Sequence, residues 1–169
     1  MLRVDFERCG DRFAHQVSWT LPDGTSGCLI SQEGHPDEAW PPSPVLQSLN
    51  LETRPGEGQS AMLVGMAGRN HWSMSVEADL DRNRLLFDVA CRMQELPLWL
   101  GSTYTVLNQS GAAWPLDCLT LTAWHGEQTD QAIFIQMDRQ KGTLRIPAPP
   151  ATAMFPQTIR WRYEIGVRK

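Results

Sequence analysis

NHWSMSVEAD, residues 70–79, alternates polar and apolar side chains without a break from His71 to Asp79. Successive side chains of a strand point to opposite faces. Trp72, Met74, Val76 and Ala78 therefore share one side, and His71, Ser73, Ser75 and Glu77 the other. RLLFDVACR, from Arg84 to Arg92, repeats the pattern: Leu85, Phe87, Val89 and Cys91 alternate with Leu86, Asp88, Ala90 and Arg92. Between them DLDRNR carries turn chemistry. A slip of one residue would set apolar side chains opposite polar ones, so the hairpin needs an even loop. Loops of Asp81–Arg82 or of Leu80–Asn83 give one register. Trp72 then faces Cys91, Met74 faces Val89, Val76 faces Phe87, Ala78 faces Leu85, Asp79 faces Arg84, Ser75 faces Asp88 and His71 faces Arg92. Histidine, serine and an acid on one face resemble a catalytic group. Yet neither serine has a histidine across the ladder to take its proton, and the charge of Arg92 beside His71 opposes a metal cation. The four residues read as sheet surface.

Period two runs outward from this hairpin. FAHQVSWTL (13–21) puts Phe13, His15, Val17, Trp19 and Leu21 on one side. QTIRWRYEIGVRK (157–169) puts Ile159, Trp161, Tyr163, Ile165 and Val167 on one side, and Thr158, Arg160, Arg162, Glu164 and Arg168 on the other. The basic side reads as a solvated face whose charges guard an edge strand. Between lie SAMLVGMAG, STYTVL, CLTLTAW, QAIFIQM and TLRI, separated by PDGTSG, RPGEG, AGRN, NQSG, HGEQTD and RQKG. Around RQKG, a four-residue loop Arg139–Gly142 sets Met137 opposite Leu144 and Ile135 opposite Ile146, with Ile133 on the same face.

HPDEAWPPSP (35–44) and PAPPATAMFP (147–156) cannot pair as central strands, and read as crossings between sheets or edges. In SPVLQSLNLE, Ser43 and Pro44 suit a helix start, but Leu49 and Leu51 alternating with Asn50 and Glu52 favour a strand. MQELPLWLG allows one helical turn before Pro97. The chain reads as all-β: residues 1–169 form a single antiparallel β-sandwich of roughly nine to eleven short strands, with a closed or flattened barrel as the alternative.

Composition narrows function. The 169 residues are 41% hydrophobic and 20% charged, ordinary globular values. A net charge of −4 excludes a whole-domain basic footprint for nucleic acid. MLRVDFERCGDRF breaks its apolar residues with charges, unlike a secretion signal, and no run approaches a membrane span. Cys9, Cys28, Cys91 and Cys118 form no C-x-x-C pair. They read as reduced thiols of a cytoplasmic protein, with Cys91 and Cys118 buried and inert.

His15, His35, His71 and His125 lack ligand spacing. DLDRNR opens like a calcium loop, but Arg84 stands where glycine is needed and Ala90 where a bidentate glutamate is needed. Neither a nucleophile elbow nor a phosphate loop occurs. No metal and no cofactor is expected. The purified protein should therefore keep its melting temperature in EDTA; stoichiometric zinc or calcium by elemental analysis would overturn this.

Seven tryptophans against two tyrosines is the odd feature. Trp19, Trp72 and Trp161 share faces with other apolar residues and belong to the core. Trp40 and Trp114 precede prolines in loops, and Trp99 lies near Pro97. A flat ring in a loop gives much contact area at low entropic cost. Trp40, Trp99 and Trp114 are the candidate contacts of a non-catalytic binding or interaction domain, for a protein partner or a small-molecule ligand. The alternative is a barrel carrier or enzyme with an interior pocket, His15 being its polar group.

Overall fold

The computed structural model describes residues 1–54, 58–108, 115–125 and 134–168. Among them twelve strands form: β1 (Leu2–Cys9), β2 (Arg12–Thr20), β3 (Ser26–Ser31), β4 (Ser48–Arg54), β5 (Gly58–Ala67), β6 (Asn70–Asp79), β7 (Arg84–Met93), β8 (Gly101–Asn108), β9 (Leu119–His125), β10 (Gln136–Asp138), β11 (Thr143–Pro147) and β12 (Gln157–Val167). One short 3-10 turn, Pro115–Cys118, precedes β9. The first sheet runs β1-β2-β3-β8-β11-β10 and the second β4-β5-β6-β7-β12-β9. Every ladder is antiparallel. The two sheets stack as a sandwich and do not close into a barrel.

The count exceeds the sequence expectation, which omits β1 and β3. LRVDFERC alternates Leu2, Val4 and Phe6 with Arg3, Asp5 and Glu7, so the signal for β1 was present. SGCLIS is short and follows a glycine-rich turn, which hides its period. MQELPLWLG contains no helix, and no helix begins at Ser43; β4 starts at Ser48 instead.

The β6–β7 hairpin adopts the register demanded by its two apolar faces: Trp72 opposite Cys91, Met74 opposite Val89, Val76 opposite Phe87 and Ala78 opposite Leu85. Its loop is Leu80–Asn83, where Asn83 takes the left-handed conformation (φ 48°) that asparagine tolerates. Asp79 fastens the tip by accepting from the Arg82 amide (3.1 Å) and from Arg84 Nε (2.9 Å). On the outer face His71, Ser73 and Glu77 are exposed and Ser75 is half-buried.

β12 is not an edge strand, as its basic side suggested. It lies between β7 and β9. Its arginines balance neighbouring carboxylates: Asp88 holds both Arg160 and Arg162, and Glu164 receives Arg84 Nη1 at 2.6 Å. The RQKG loop spans Arg139–Gly142 and sets Met137 opposite Leu144. Met137 is nonetheless 54% exposed, because β10 is the outermost strand and reaches past the core. Ile135 precedes β10 without pairing to Ile146, and Ile133 lies outside the described residues.

Trp19, Leu29, Trp72, Phe87, Val89, Cys91, Tyr104, Trp161, Tyr163 and Ile165 pack between the sheets. The thiol of Cys91 is pushed up to about 12 by burial, whereas Cys118 keeps some exposure. Both proline-rich stretches carry the chain from the first sheet to the second. The earlier one is strapped down as it enters β4. Trp99 Nε1 donates to the Pro42 carbonyl (2.9 Å), Ser43 Oγ donates to the Thr103 carbonyl (2.9 Å), and the Phe13 amide donates to the Leu46 carbonyl (2.6 Å). At Gly65 an added Cβ would lie 2.3 Å from the Val45 carbonyl oxygen, so only glycine lets the crossing approach β5 this closely.

Candidate functional site

His15 faces inward from β2, as its alternation requires, and is 3% exposed. Its Nε2 lies 2.8 Å from the Tyr104 hydroxyl, which lies 2.6 Å from the Tyr163 hydroxyl. Phe6, Phe87 and Tyr104 surround the imidazole at ring-centroid distances of 6.2, 5.8 and 5.3 Å. Burial with no opposing charge lowers the His15 pKa to about 4. Burial likewise pushes Tyr163 up to about 12 and Tyr104 well above its ordinary value. At neutral pH this row is uncharged: a neutral imidazole hydrogen-bonded to the Tyr104 phenol, which in turn bonds the Tyr163 phenol. His15 Nδ1 is buried without a hydrogen-bond partner.

A second polar chain leaves the backbone of the same residue. The His15 amide donates to Ser31 Oγ (2.8 Å), and Ser31 Oγ donates to Glu33 Oε1. Burial raises Glu33 to about 7, against the opposing pull of the Ser31 hydrogen bond and the Arg12 charge. Glu33 Oε2 is buried without a partner. Arg12, itself buried, donates to the Glu33 carbonyl (3.0 Å) and clasps Asp11 through Nε (2.9 Å) and Nη2 (3.2 Å). These groups tie the start of β2 to the end of β3.

An open groove lies on the other side of Phe6. β1 rests against β7 at the edge of the first sheet, and a corner of the second sheet extends beyond it. That corner forms a groove of about 420 Å³, floored by Ala61, Val76, Ala78 and Leu85 and walled by Leu2, Val4 and Phe6 of β1. Leu51 and Leu80, also on the groove, are 67% and 77% exposed. Arg3, Asp5 and Glu52 stand at the rim. His15 does not line it.

Among the described residues β1 also has a free backbone edge. Met1 and Thr20 exchange both backbone hydrogen bonds, so Arg3, Asp5 and Glu7 direct their N–H and C=O groups to β2. Leu2, Val4, Phe6 and Arg8 direct theirs outward. The residues whose side chains wall the groove are thus those whose backbone is open to a further strand.

Trp40 and Trp99, named from sequence, lie elsewhere. Trp40 is half-buried and meets Trp72 edge-on at 6.4 Å. Trp99 is half-buried, bonded to Pro42, with the Arg145 guanidinium 5.5 Å from its ring centre. Trp114 lies outside the described residues. The structure does not bring Trp40 or Trp99 to the groove or to His15. Sequence reasoning missed Leu2, Val4 and Phe6, although their alternation with charges was the available signal. It also missed Glu33, Tyr104 and Tyr163, which no spacing marks. Among the described residues no group of three or more histidine, cysteine, aspartate or glutamate side chains is placed to hold a metal ion. No helix among them is long and apolar enough to cross a membrane. No family model, curated protein or solved structure matches this chain.

Proposed function

We propose that residues 1–169 form one non-catalytic binding domain, which accepts an extended peptide strand along the open edge of β1. The observation that carries this reading is the coincidence of free backbone and apolar groove at Leu2, Val4 and Phe6. Strand addition gives affinity through main-chain hydrogen bonds and specificity through alternate side chains. Here every second residue of an added strand would fall over Ala61, Val76 and Ala78 and cover the exposed Leu51. The interior-pocket reading is weaker, because His15 is enclosed by aromatic rings and its low pKa keeps it neutral. On this reading Trp40 and Trp99 brace the proline-rich crossing. Four cysteines without a disulfide fit a cytoplasmic setting.

The test uses a soluble hexapeptide alternating valine with threonine, titrated into the protein while backbone amide shifts are recorded. Shifts should saturate and concentrate at Leu2, Val4 and Phe6. Val4→Pro removes an outward N–H and leaves the β2 ladder intact, so it should weaken binding about tenfold or more with the fold retained. Unchanged binding by Val4→Pro, or no saturable shift on β1, would sink the proposal.

A further inference from the structure

Resting on the strand-accepting reading, we infer that the occupant of the β1 edge is an antiparallel segment of another protein with apolar residues at alternate positions, basic residues opposite Asp5 and Glu7, and an acidic residue opposite Arg3. The backbone alternation sets the positions. An added strand bonds to Leu2, Val4 and Phe6, so its residues opposite them also point into the groove. Arg3, Asp5 and Glu7 then occupy the non-hydrogen-bonded positions of the new ladder, where facing side chains approach most closely in an antiparallel pair. Arg3 and Asp5 remain 59% and 48% exposed although they bond each other at 2.7 Å, and Glu7 is exposed. Asp5 and Glu7 together outweigh Arg3 on this side of β1. The face that meets the segment is therefore acidic on balance. Read from its N-terminus, the complementary segment is Lys-Val-Lys-Val-Glu-Val, aligned with Glu7 back to Leu2.

A second copy of this chain would satisfy the charges but not the space. Antiparallel β1–β1 pairing about Val4 sets each Arg3 against the other copy's Asp5. The corner of the second sheet, however, already extends beneath the position the incoming β1 would take. That incoming strand brings its own second sheet on the same side. Two sheets cannot share one layer, whereas a lone strand fits.

The experiment compares Lys-Val-Lys-Val-Glu-Val with its charge-swapped partner Glu-Val-Glu-Val-Lys-Val, each dye-labelled, by fluorescence anisotropy on the full chain. The complementary peptide should bind about tenfold more tightly at low salt, with the ratio shrinking at high salt. Asp5→Lys combined with Glu7→Lys should invert the preference. Equal binding of both peptides overturns the charge rule and leaves the strand-accepting reading standing. An unaltered preference in the double variant, or tighter binding of the swapped peptide, also overturns the rule. If neither peptide binds, both readings fall and the β1 charges only guard an edge. Concentration-dependent dimers in sedimentation, abolished by Val4→Pro, would make a second copy the occupant and overturn the assignment.

Discussion

Replacing Trp161 with alanine will destabilise the fold by about 3–5 kcal/mol, the usual range for truncating a fully buried tryptophan. Trp161 is central by every local measure. Its strand lies between β7 and β9, its side chain is wholly buried, and its ring meets Trp72 edge-on at 6.4 Å. Its Nε1 donates to Ser102 Oγ across the sandwich at 3.3 Å, so truncation also strips that hydroxyl of a partner. Domains of this size are stable by only about 5–15 kcal/mol, so the loss is a large share of the whole. It corresponds to a fall in melting temperature of roughly 6–20 °C. Trp40→Ala should cost clearly less, since that ring is half-exposed and touches the same Trp72 from outside. Urea unfolding followed by far-UV circular dichroism measures both without depending on tryptophan fluorescence. If Trp161→Ala does not fold, Trp161→Phe at about 1–3 kcal/mol gives the same ordering. A loss for Trp161→Ala no greater than for Trp40→Ala would contradict the assignment of Trp161 to the centre of the core.

The sandwich was legible because its long central strands alternate cleanly. Across residues 72–78 of β6, 85–93 of β7 and 159–167 of β12 each inward position is apolar, so parity alone set the β6–β7 register and sided Trp161 with Tyr163. Parity says nothing about neighbours along a sheet. The basic side of β12 looks the same from sequence at an edge or between two strands. Only the non-local pairing with β7 and β9 decides it. Met137 shows the same gap from another side: its register was readable, its exposure was not, because exposure depends on how far the opposing sheet extends.

The site was less legible than the fold. Tyr104 and Tyr163 are 59 residues apart and meet only because β8 and β12 lie in opposite sheets. Glu33 reads as a loop acid; only the pairing of β2 with β3 sets it beside Ser31 and Arg12. The groove is a property of mismatch between two sheet edges, and no single segment encodes it. Its wall nevertheless left a trace in Leu2, Val4 and Phe6. In β1 the same charges that break a signal-peptide core are the outward half of a strand.

Glu33→Gln and His15→Gln will tilt the stability of the protein in opposite directions with pH. His15 has an ordinary pKa of 6.5 and about 4 in the fold. As pH falls below 6.5 the unfolded chain takes a proton that the folded chain refuses. Stability that His15 confers above its unfolded pKa is therefore lost as pH falls toward its folded value, by roughly 3 kcal/mol in full. Glu33 has an ordinary pKa of 4.5 and about 7 in the fold. The folded chain keeps a proton that the unfolded chain releases, so this contribution is complete below the unfolded pKa and is lost as pH rises through the folded value. Part of the Glu33 surface meets solvent, which screens the effect to about 1–2 kcal/mol. The two slopes overlap between pH 4.5 and 6.5 and partly cancel in the native sequence. Asp11, Asp23 and Asp79 have lowered pKa values and act in the more acidic range below this window. Glu33→Gln removes the falling limb, so its stability should climb with pH across the window more steeply than that of the native protein. His15→Gln removes the rising limb, so its stability should decline as pH rises. Urea midpoints measured in half-unit pH steps check both. Parallel curves for the native protein and the two variants would mean that neither buried group resists its charge, and that solvent reaches the His15–Tyr104 row and the Glu33 carboxyl alike.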